Sequence, residues 1–404
     1  MDQKKSSFLS NRQDAFGALR RFLPDARNYG KSRNGVEKGN PRVSRLSEAV
    51  RARLISEYEV ADQVMDVHGL DRVEKYIQEV YWRLYWKGWL EWHPKVWSDY
   101  LTEVKFNSKN DSVVERCRVV EEGRSGVKIM DRFAQELVNT GYLHNHARMW
   151  LAGYWIHICG LPWSLGADFF YRHLLDADPA SNTLSWRWVA GLQTRGKSYL
   201  PNANNLRKFC KYPEVREPML DQQLEPDFQT EVQYAVPDRL ELWPETTKPT
   251  LDQPYLLWVH GEDLSFWHQY GNLPEREPDA VVLVQDEQLA NKYGISGKRI
   301  QFMYEALMDA RTRWMDSHKP PVVYKHGSLI ENIIDTARTH KVTVVAGMLP
   351  AIGPLRSLVP DLRRQLQRHG IELELWRRKQ DEEILPLARR GFFPFWKEVR
   401  TCLL

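Results

Sequence analysis

The chain lacks several sequence features that would assign a protein directly to a structural or functional class. Its 404 residues include only four cysteines, at positions 117, 159, 210 and 402, and no C-x2-C pair. This spacing argues against a disulfide framework, a zinc site and an iron–sulfur cluster, and it favours free thiols in a reducing compartment. His144 and His146 lie on opposite faces of a predicted helix without a third ligand, so no metal is expected.

Long apolar runs and the familiar nucleotide loops are also missing. No apolar run reaches the ~18 residues that cross a bilayer, and residues 1–8 lack the apolar core of a signal peptide. We therefore expect a soluble, intracellular, cytoplasmic protein. Neither GxGxxG nor GxxxxGKS/T occurs. A net charge of +4 does not by itself indicate nucleic acid.

Tryptophan is abundant, with 16 residues that must fill a core or line a ligand pocket. Between about residues 42 and 209 apolar residues recur at helical spacing, which predicts an all-α region of eight to ten helices. The predicted segments are residues 47–60, 70–92, 129–139, 144–160, 167–175 and 183–193. Residues 211–250, rich in Pro, Glu and Asp, indicate an extended linker.

Short β-rich runs alternate with helical stretches in the last part of the chain. The predicted strands are residues 256–260, 280–285, 322–325, 342–346 and 371–376, with helices at 298–316, 328–340 and 354–369. This alternation is typical of a doubly wound, parallel, Rossmann-like α/β domain. We expect a helical domain over residues 1–210, a linker over 211–250 and the α/β domain over 251–404. Such sheets usually bind ligands beyond the carboxyl ends of their strands.

Two clusters of polar residues open the helical half. The stretch VSRLS at residues 43–47, preceded by Tyr29, offers hydroxyl and guanidinium groups where a helix begins. It is either a phosphate clasp or an ordinary helix cap. Glu79, Trp82, Arg83 and Trp86 share one helix face. An aromatic stripe is usually core, but a glutamate and an arginine inside it are costly to bury and favour a functional face.

A third cluster lies between residues 141 and 201. Asn145, Arg148 and Met149 share one helix face, and Asp176 is a natural ion-pair partner for Arg148. Residues spaced by four that could share another face are Asp178, Asn182 and Trp186.

In this order and spacing, the three clusters resemble the flavin domain of the photolyase/cryptochrome family over about residues 29–199. The family pattern is a tyrosine, then T-S-R-L-S, E-x-x-W-R, H-N-x-x-R-M and D-G-D-x-x-x-N-x-x-x-W-x-W. This chain has Tyr29, VSRLS, EVYWR, HNHARM and DADPASNTLSWRW. Leu84, where an acidic residue commonly follows W-R, and Ala177, for the glycine of D-G-D, depart from the pattern.

The resemblance implies a bound FAD. The residues matched to it are Tyr29, Ser44, Arg45, Leu46, Ser47, Arg83, Asn145, Arg148, Asp176, Asp178 and Asn182. The first five would hold the diphosphate, with Arg83 also on the phosphate side. Arg148 and Asp176 would form a salt bridge beside the isoalloxazine ring, with Asp178 near its polar edge. Asn182 would face flavin N5, and asparagine there is typical of photolyases rather than plant-type cryptochromes.

The resemblance also implies a light-driven repair enzyme, a deoxyribodipyrimidine photo-lyase acting on UV-damaged DNA as a monomer. The residues matched to a pyrimidine-dimer pocket are Glu79, Trp82, Asn145, Met149 and Trp188. Residues matched to the chemistry are Glu79, Asn145, Asn182, Trp186 and Trp163. Asn145 stands where (6-4) enzymes usually have a second histidine, which favours cyclobutane dimers. A cryptochrome-like blue-light receptor is the alternative, and a (6-4) photolyase is a weaker one.

Trp186 and Trp163 match the first two tryptophans of the family's electron-transfer chain. The segment near Asn110 lacks the third, so either another aromatic such as Trp155 or Trp97 ends the chain, or photoreduction is slow. Basic residues that either meet DNA phosphates or form a solvated face are Arg187, Arg195, Lys197, Arg207, Lys208 and Lys211.

The last part of the chain carries a weaker resemblance to the same family. LLWVHGEDL at residues 256–264 resembles the opening strand of the family's α/β domain, and FFPFW at 392–396 resembles the stretch that closes it. The family normally places this domain first. The reversed order implies a circular permutation, and the domain implies an antenna chromophore of unknown identity.

Overall fold

The computed structural model describes residues 8–226, 235–246, 248–265 and 274–403. Residues 1–7, and the parts of the expected linker at 227–234 and 247, lie outside the described residues. The helices of the first half are α1 Arg12–Phe22, α2 Tyr29–Ser32, α3 Ser47–Arg51, α4 Glu57–His68, α5 Leu70–Trp92, α6 Lys95–Asn107, α7 Asp111–Glu121, α8 Lys128–Thr140, α9 Asn145–Gly153, α10 Trp163–His173, α11 Pro179–Val189, α12 Ala203–Phe209 and α13 Leu220–Gln223. Ten of these fall between residues 42 and 209, all described, as predicted.

The helix predicted over residues 47–60 is wrong in one respect, because the structure has two helices there. Arg53 adopts a left-handed backbone conformation with φ of 49°, which ends the first helix. Ser56 then caps the second: its side chain accepts from the Glu59 amide, and the Glu59 side chain accepts from the Ser56 amide. The break lets the buried Arg53 side chain reach the other half of the molecule.

The helix predicted over residues 144–160 is also shorter than expected. The α-helix ends at Gly153, and the chain then forms a π-helical turn, Tyr154–Ile158. The next helix begins at Trp163 rather than at residue 167, with Pro162 as the residue before its first turn.

The expected linker is not fully extended. Val36 and Cys210 form a parallel β-bridge, and a 3-10 turn at Pro213–Arg216 and helix α13 follow. Glu214 pairs with Arg132 of α8 at 2.7 Å. The described beginning of this segment therefore packs on the helical half.

Five strands form one parallel sheet, which confirms the predicted fold class. They are β1 Tyr255–Val259, β2 Ala280–Asp286, β3 Val322–Gly327, β4 Val344–Met348 and β5 Glu372–Trp376, in the order β3-β2-β1-β4-β5. The chain direction across the sheet reverses between β1 and β4, which makes the sheet doubly wound. The accompanying helices are α14 Glu287–Lys292, α15 Gly297–Ser317, α16 Leu329–Thr339, α17 Pro354–Arg368, α18 Lys379–Ile384 and α19 Phe392–Leu403.

The two halves pack closely against each other. A Cβ at Gly88 of α5 would lie 2.3 Å from the carbonyl oxygen of Leu385, so the contact requires glycine. Beside it lies a buried group of charges from both halves, here called the interdomain ion cluster. Its members are Arg53, Glu57, Lys87, Asp263, Arg378 and Asp381. Among the described residues no helix is long and apolar enough to span a membrane.

Candidate functional site

Helix α5 presents the predicted functional face. Glu79, Trp82, Arg83 and Trp86 are all partly exposed, whereas their neighbour Tyr85 is buried. This face is therefore partly accessible, and the region between it and the loop joining α10 and α11 is called the cleft below.

The loop between α10 and α11 is buried, and its Asp178 lies near Arg83 of this face. Arg148 of α9 donates to Asp176 at 3.0 Å, so the predicted ion pair is present. Burial opposes ionisation of Asp176, but the guanidinium groups of Arg148 and Arg83 hold its pKa below the ordinary value, helped by a hydrogen bond with Ser47. Asp178 caps α11 by accepting from the Ser181 amide. Four predicted cofactor residues from separate segments thus meet around Asp176.

Several buried polar atoms here lack partners within the described parts of the chain. They include Arg45 Nε, Arg83 Nη1 and Asp176 Oδ1, which have no hydrogen-bond partner. Arg83 Nη1 approaches Asp178 Oδ2 no closer than 4.0 Å. Unpaired polar atoms cost free energy when buried, so such a group indicates a place for a polar ligand. The donors and the acceptor suit the phosphates and the hydrogen-bonding ring edge of FAD.

Arg45 is held in place by its backbone and by an aromatic ring. Its φ of 57° is left-handed, and its guanidinium lies 3.6 Å from the centre of the Tyr142 ring. Tyr29 packs edge-on against Tyr76 at 5.1 Å, and Tyr76 hydrogen-bonds Ser44. The segment carrying Ser44 and Arg45 is therefore connected to Tyr29, as the phosphate-clasp hypothesis requires.

Glu79 is tied to two cations. Arg33 donates to it at 2.6 Å, and Lys75 lies 3.0 Å away. Asn145, by contrast, is exposed at the start of α9. Glu79 can accept hydrogen bonds at the cleft, but its charge is shared with these neighbours.

The ring stacked on Trp82 comes from the α/β half. Phe392 of α19 lies parallel to Trp82 with ring centres 3.9 Å apart. Trp188, the other expected wall, stacks on Tyr199 at 6.2 Å, and within the described residues it makes no ring contact with Trp82. Met149 is partly exposed on α9. The structure thus does not join the five predicted substrate residues through direct contacts.

Asn182 and Trp186 are buried on α11. The Asn182 side chain donates to the Ala167 carbonyl at 2.8 Å. Trp186 fits against α10 because residue 166 is glycine: a Cβ there would lie 2.3 Å from the Trp186 ring.

Trp155 and Trp97, the two alternatives for the end of the predicted electron-transfer chain, both lie near Trp186 or Trp163. Trp155 contacts Trp186 at 6.2 Å between ring centres. Trp97 lies 5.2 Å from Tyr100, which in turn lies 5.7 Å from Trp163. Tyr100 was not identified from the sequence, because tyrosines on an amphipathic helix usually belong to the core.

A cavity of about 150 Å³ lies where the two halves meet, at the carboxyl ends of β1 and β2. Gly261 and Gln285 line it from the sheet, and Arg51 and Tyr171 from the helical half. Its position is the one expected for ligands of doubly wound sheets.

Sequence reasoning missed the residues that support the site from behind. Arg51 of α3 and Arg299 of α15 both donate to the Ala177 carbonyl, at 3.2 and 3.0 Å. Tyr142 and Phe392 stack on predicted site residues. Arg51, Tyr142 and Arg299 belong to no motif, and Phe392 lies in the FFPFW stretch, which was matched to the α/β domain and not to the site. Their contacts arise only when distant segments pack.

The histidines next to the site show no sign of metal binding. Burial lowers the pKa of His144 to about 4, and the His144 ring accepts from the His146 amide. Across the described ranges, no group of three His, Cys, Asp or Glu side chains is placed to hold a metal ion.

Comparison with known proteins finds a family match within the helical half. Residues 76–217 match the family described as the FAD binding domain of DNA photolyase. A deoxyribodipyrimidine photo-lyase of Streptomyces griseus is 30% identical over 153 residues, which are 38% of this chain and 33% of that protein. Cryptochrome-1 of Arabidopsis thaliana is 30% identical over 101 residues, 22% of this chain and 15% of that protein.

A solved structure also matches part of the chain. The Synechocystis cryptochrome is 20% identical with a TM-score of 0.44, covering 50% of this chain and 44% of that one. This chain therefore spans about a third or less of the length of the two sequence relatives named above, and less than half of the cryptochrome structure.

Proposed function

We propose that this chain is a light-driven repair enzyme for cyclobutane pyrimidine dimers in DNA, because residues 76–217 match the family described as the FAD binding domain of DNA photolyase. The observation that carries the proposal is the cleft between α5 and the Asp176–Asp178 loop. It combines unpartnered buried polar atoms with a partly exposed face of Glu79, Trp82 and Arg83. One surface would hold the cofactor and the other the lesion.

The residues divide into two roles. Tyr29, Ser44, Arg45, Leu46 and Ser47 would hold the diphosphate. The residues that would lie at the ring are Arg83, Asn145, Arg148, Asp176, Asp178 and Asn182. The resemblance assigns Arg83 to the phosphate side, but its position beside Asp178 favours the ring side. Reduced FAD, when bound and excited, supplies one electron to the dimer and takes it back after the ring splits.

The lesion would leave the base stack to reach the cleft, as is established for photolyases. Trp82, with one face covered by Phe392, offers its remaining surface to a flipped pyrimidine. Glu79 would accept hydrogen bonds from pyrimidine N–H groups, and its salt bridges with Arg33 and Lys75 fix its position. Asn145, Met149 and Trp188 would complete the lesion contacts.

The test is loss of thymine dimers under blue light by reduced, FAD-loaded protein. Glu79→Gln should lower the repair rate about 10- to 100-fold, because a charge-assisted hydrogen bond is worth about 1.5–3 kcal/mol, while bound flavin stays near wild type. Asp71→Asn, on the exposed start of the same helix, is the control and should repair normally. No dimer loss on single- or double-stranded DNA by wild-type protein would refute the proposal.

A blue-light receptor is the second candidate function, since cryptochromes are among the similar proteins. It predicts a flavin that responds to light in a protein that does not distinguish damaged from intact DNA. Asn182 beside the ring is the feature that favours repair.

We also propose that the order of the two domains reflects circular permutation of the family arrangement. The interdomain cavity of about 150 Å³ is the place we assign to an antenna pigment.

A further inference from the structure

The loop that carries Asp176 and Asp178 is held from behind by the other half of the molecule. Arg299, on α15 of the α/β half, donates through Nη2 to the carbonyl of Ala177 at 3.0 Å and through Nη1 to the carbonyl of Tyr171. Tyr171 and Ala177 lie on either side of the junction between α10 and this loop. One guanidinium therefore fixes the distance between the end of α10 and the proposed ring-binding carboxylates.

Arg299 differs from most buried arginines in having no anionic partner. It is 7% exposed, and no Asp or Glu oxygen in the described residues lies within ion-pair distance of it. Its neighbours are two carbonyls and the Tyr171 ring, 4.4 Å from its Cζ. Burial lowers its pKa, but arginine stays protonated at neutral pH. A buried charge of this kind is costly unless it acts on something nearby.

Arg51 reaches the same carbonyl but is compensated. It donates to Ala177 at 3.2 Å and to Gly261 at 2.7 Å, and Glu262 lies 3.9 Å from its guanidinium. Comparison of the two shows that the Ala177 carbonyl is already bonded without Arg299. What Arg299 adds is a positive charge directly behind the loop that forms no ion pair among the described residues and attracts Asp176 from a longer distance.

We propose that Arg299 is a positioning residue that orients the Asp176–Asp178 loop and raises the reduction potential of the flavin held there. The inference rests on the proposed function in one respect, the placing of the flavin ring beside Asp176. Reduction adds negative charge to the ring, and a fixed positive charge in a low-dielectric setting stabilises it. The α/β half would thus tune a cofactor that the helical half binds.

The experiment is a potentiometric titration of FAD-loaded full-length variants. Arg299→Gln keeps a donor for the Ala177 carbonyl and removes the charge. We expect it to weaken binding of reduced relative to oxidised flavin about tenfold, which lowers the midpoint potential by about 30 mV for a two-electron couple. Arg299→Lys keeps the charge and should stay close to the wild-type potential. Together the two variants distinguish the effect of the charge at position 299 from the effect of side-chain packing there.

Arg313→Gln is the matched control. Arg313 lies on the same helix and is largely buried, but it pairs with Asp309 at 2.7 Å and does not touch the loop. It should leave the potential unchanged. Wild-type potentials in Arg299→Gln and Arg299→Lys alike would overturn the inference. If Arg299→Gln does not fold, a wild-type potential for Arg299→Met, measured in the presence of a stabilising osmolyte, would overturn it as well.

These outcomes are independent of repair. Suppose that the wild-type protein repairs no dimers but its flavin potential depends on the charge at position 299. This result would refute the proposed function and support the inference about Arg299. If the protein repairs dimers but its flavin potential does not depend on that charge, the proposed function would be supported and the inference refuted.

Discussion

Two regions of this protein bury charge, and they differ in how completely the charges are paired. In the interdomain ion cluster, Arg53 donates to Asp381 at 2.7 and 2.8 Å and to Glu57 at 3.0 Å. Asp263 accepts from Arg378 at 2.6 Å and from Arg53 at 3.2 Å. In the cleft, Arg45, Arg83 and Asp176 each keep a buried polar atom without a partner in the described residues.

The difference distinguishes a structural group of charges, the interdomain ion cluster, from a candidate binding site, the cleft. Complete pairing satisfies the cluster without any other molecule, so its role is to join the two halves. Incomplete pairing in the cleft leaves a cost that a bound ligand would remove. Burial of charge alone would have marked both regions as sites, and the count of missing partners distinguishes them.

The largest effect is expected from breaking the cluster. Asp263→Ala leaves Arg378 and Arg53 buried with one carboxylate fewer, which should lower the free energy of unfolding by about 3–5 kcal/mol. Urea denaturation of the protein without cofactor measures it. Glu115→Ala removes an exposed pair with Arg118 and should change the midpoint very little. Equal midpoints for the two variants would contradict the structural role of the cluster.

A smaller effect, of a different kind, is expected in the cleft. Arg45→Gln removes a cation that has no carboxylate partner in the described structure, so FAD affinity should fall about 10- to 100-fold while unfolding changes little. Fluorescence titration of the apoprotein with FAD gives the affinity. Arg42→Gln, three residues away and exposed, is the control. If Arg45→Gln destabilised the fold but bound FAD normally, the two regions would not differ as described.

The smallest effect is expected from acid, and Glu48 should differ in sign from the carboxylates of the cluster. Burial opposes ionisation of Asp263, Asp381 and Glu57, yet their arginine partners hold all three pKa values below the ordinary range. Their stabilisation is therefore full above about pH 4 and is lost as pH falls through the lower, folded-state pKa values. In the cleft, burial and then the charge of Asp176 raise the pKa of Glu48, so folding favours its protonated form.

Denaturation midpoints measured from pH 7 to pH 3 check this contrast. Asp263→Asn should lower stability at neutral pH and flatten the loss below pH 4. Glu48→Gln should keep or slightly raise stability at neutral pH, because it removes the cost of ionising a buried carboxyl. Parallel curves for the two variants would contradict the opposite pKa shifts of Asp263 and Glu48.

The sequence by itself determined the local elements and the resemblance of the helical half to a known family. Alternation of apolar runs predicted all five strands, and helical periodicity predicted the face of Glu79, Trp82 and Arg83, because both patterns depend on neighbours a few residues away. The Arg148–Asp176 pair could also be predicted, since a motif carries each partner.

Only the tertiary structure decided how the two halves share the site. The break at Arg53, the stack of Phe392 on Trp82 and the hold of Arg299 on the Ala177 carbonyl join segments more than 100 residues apart. No local pattern encodes such contacts, because each side chain alone is an ordinary arginine or phenylalanine. These side chains acquire their roles only when packing removes water, because their polar groups can then bond only to the partners that the fold provides.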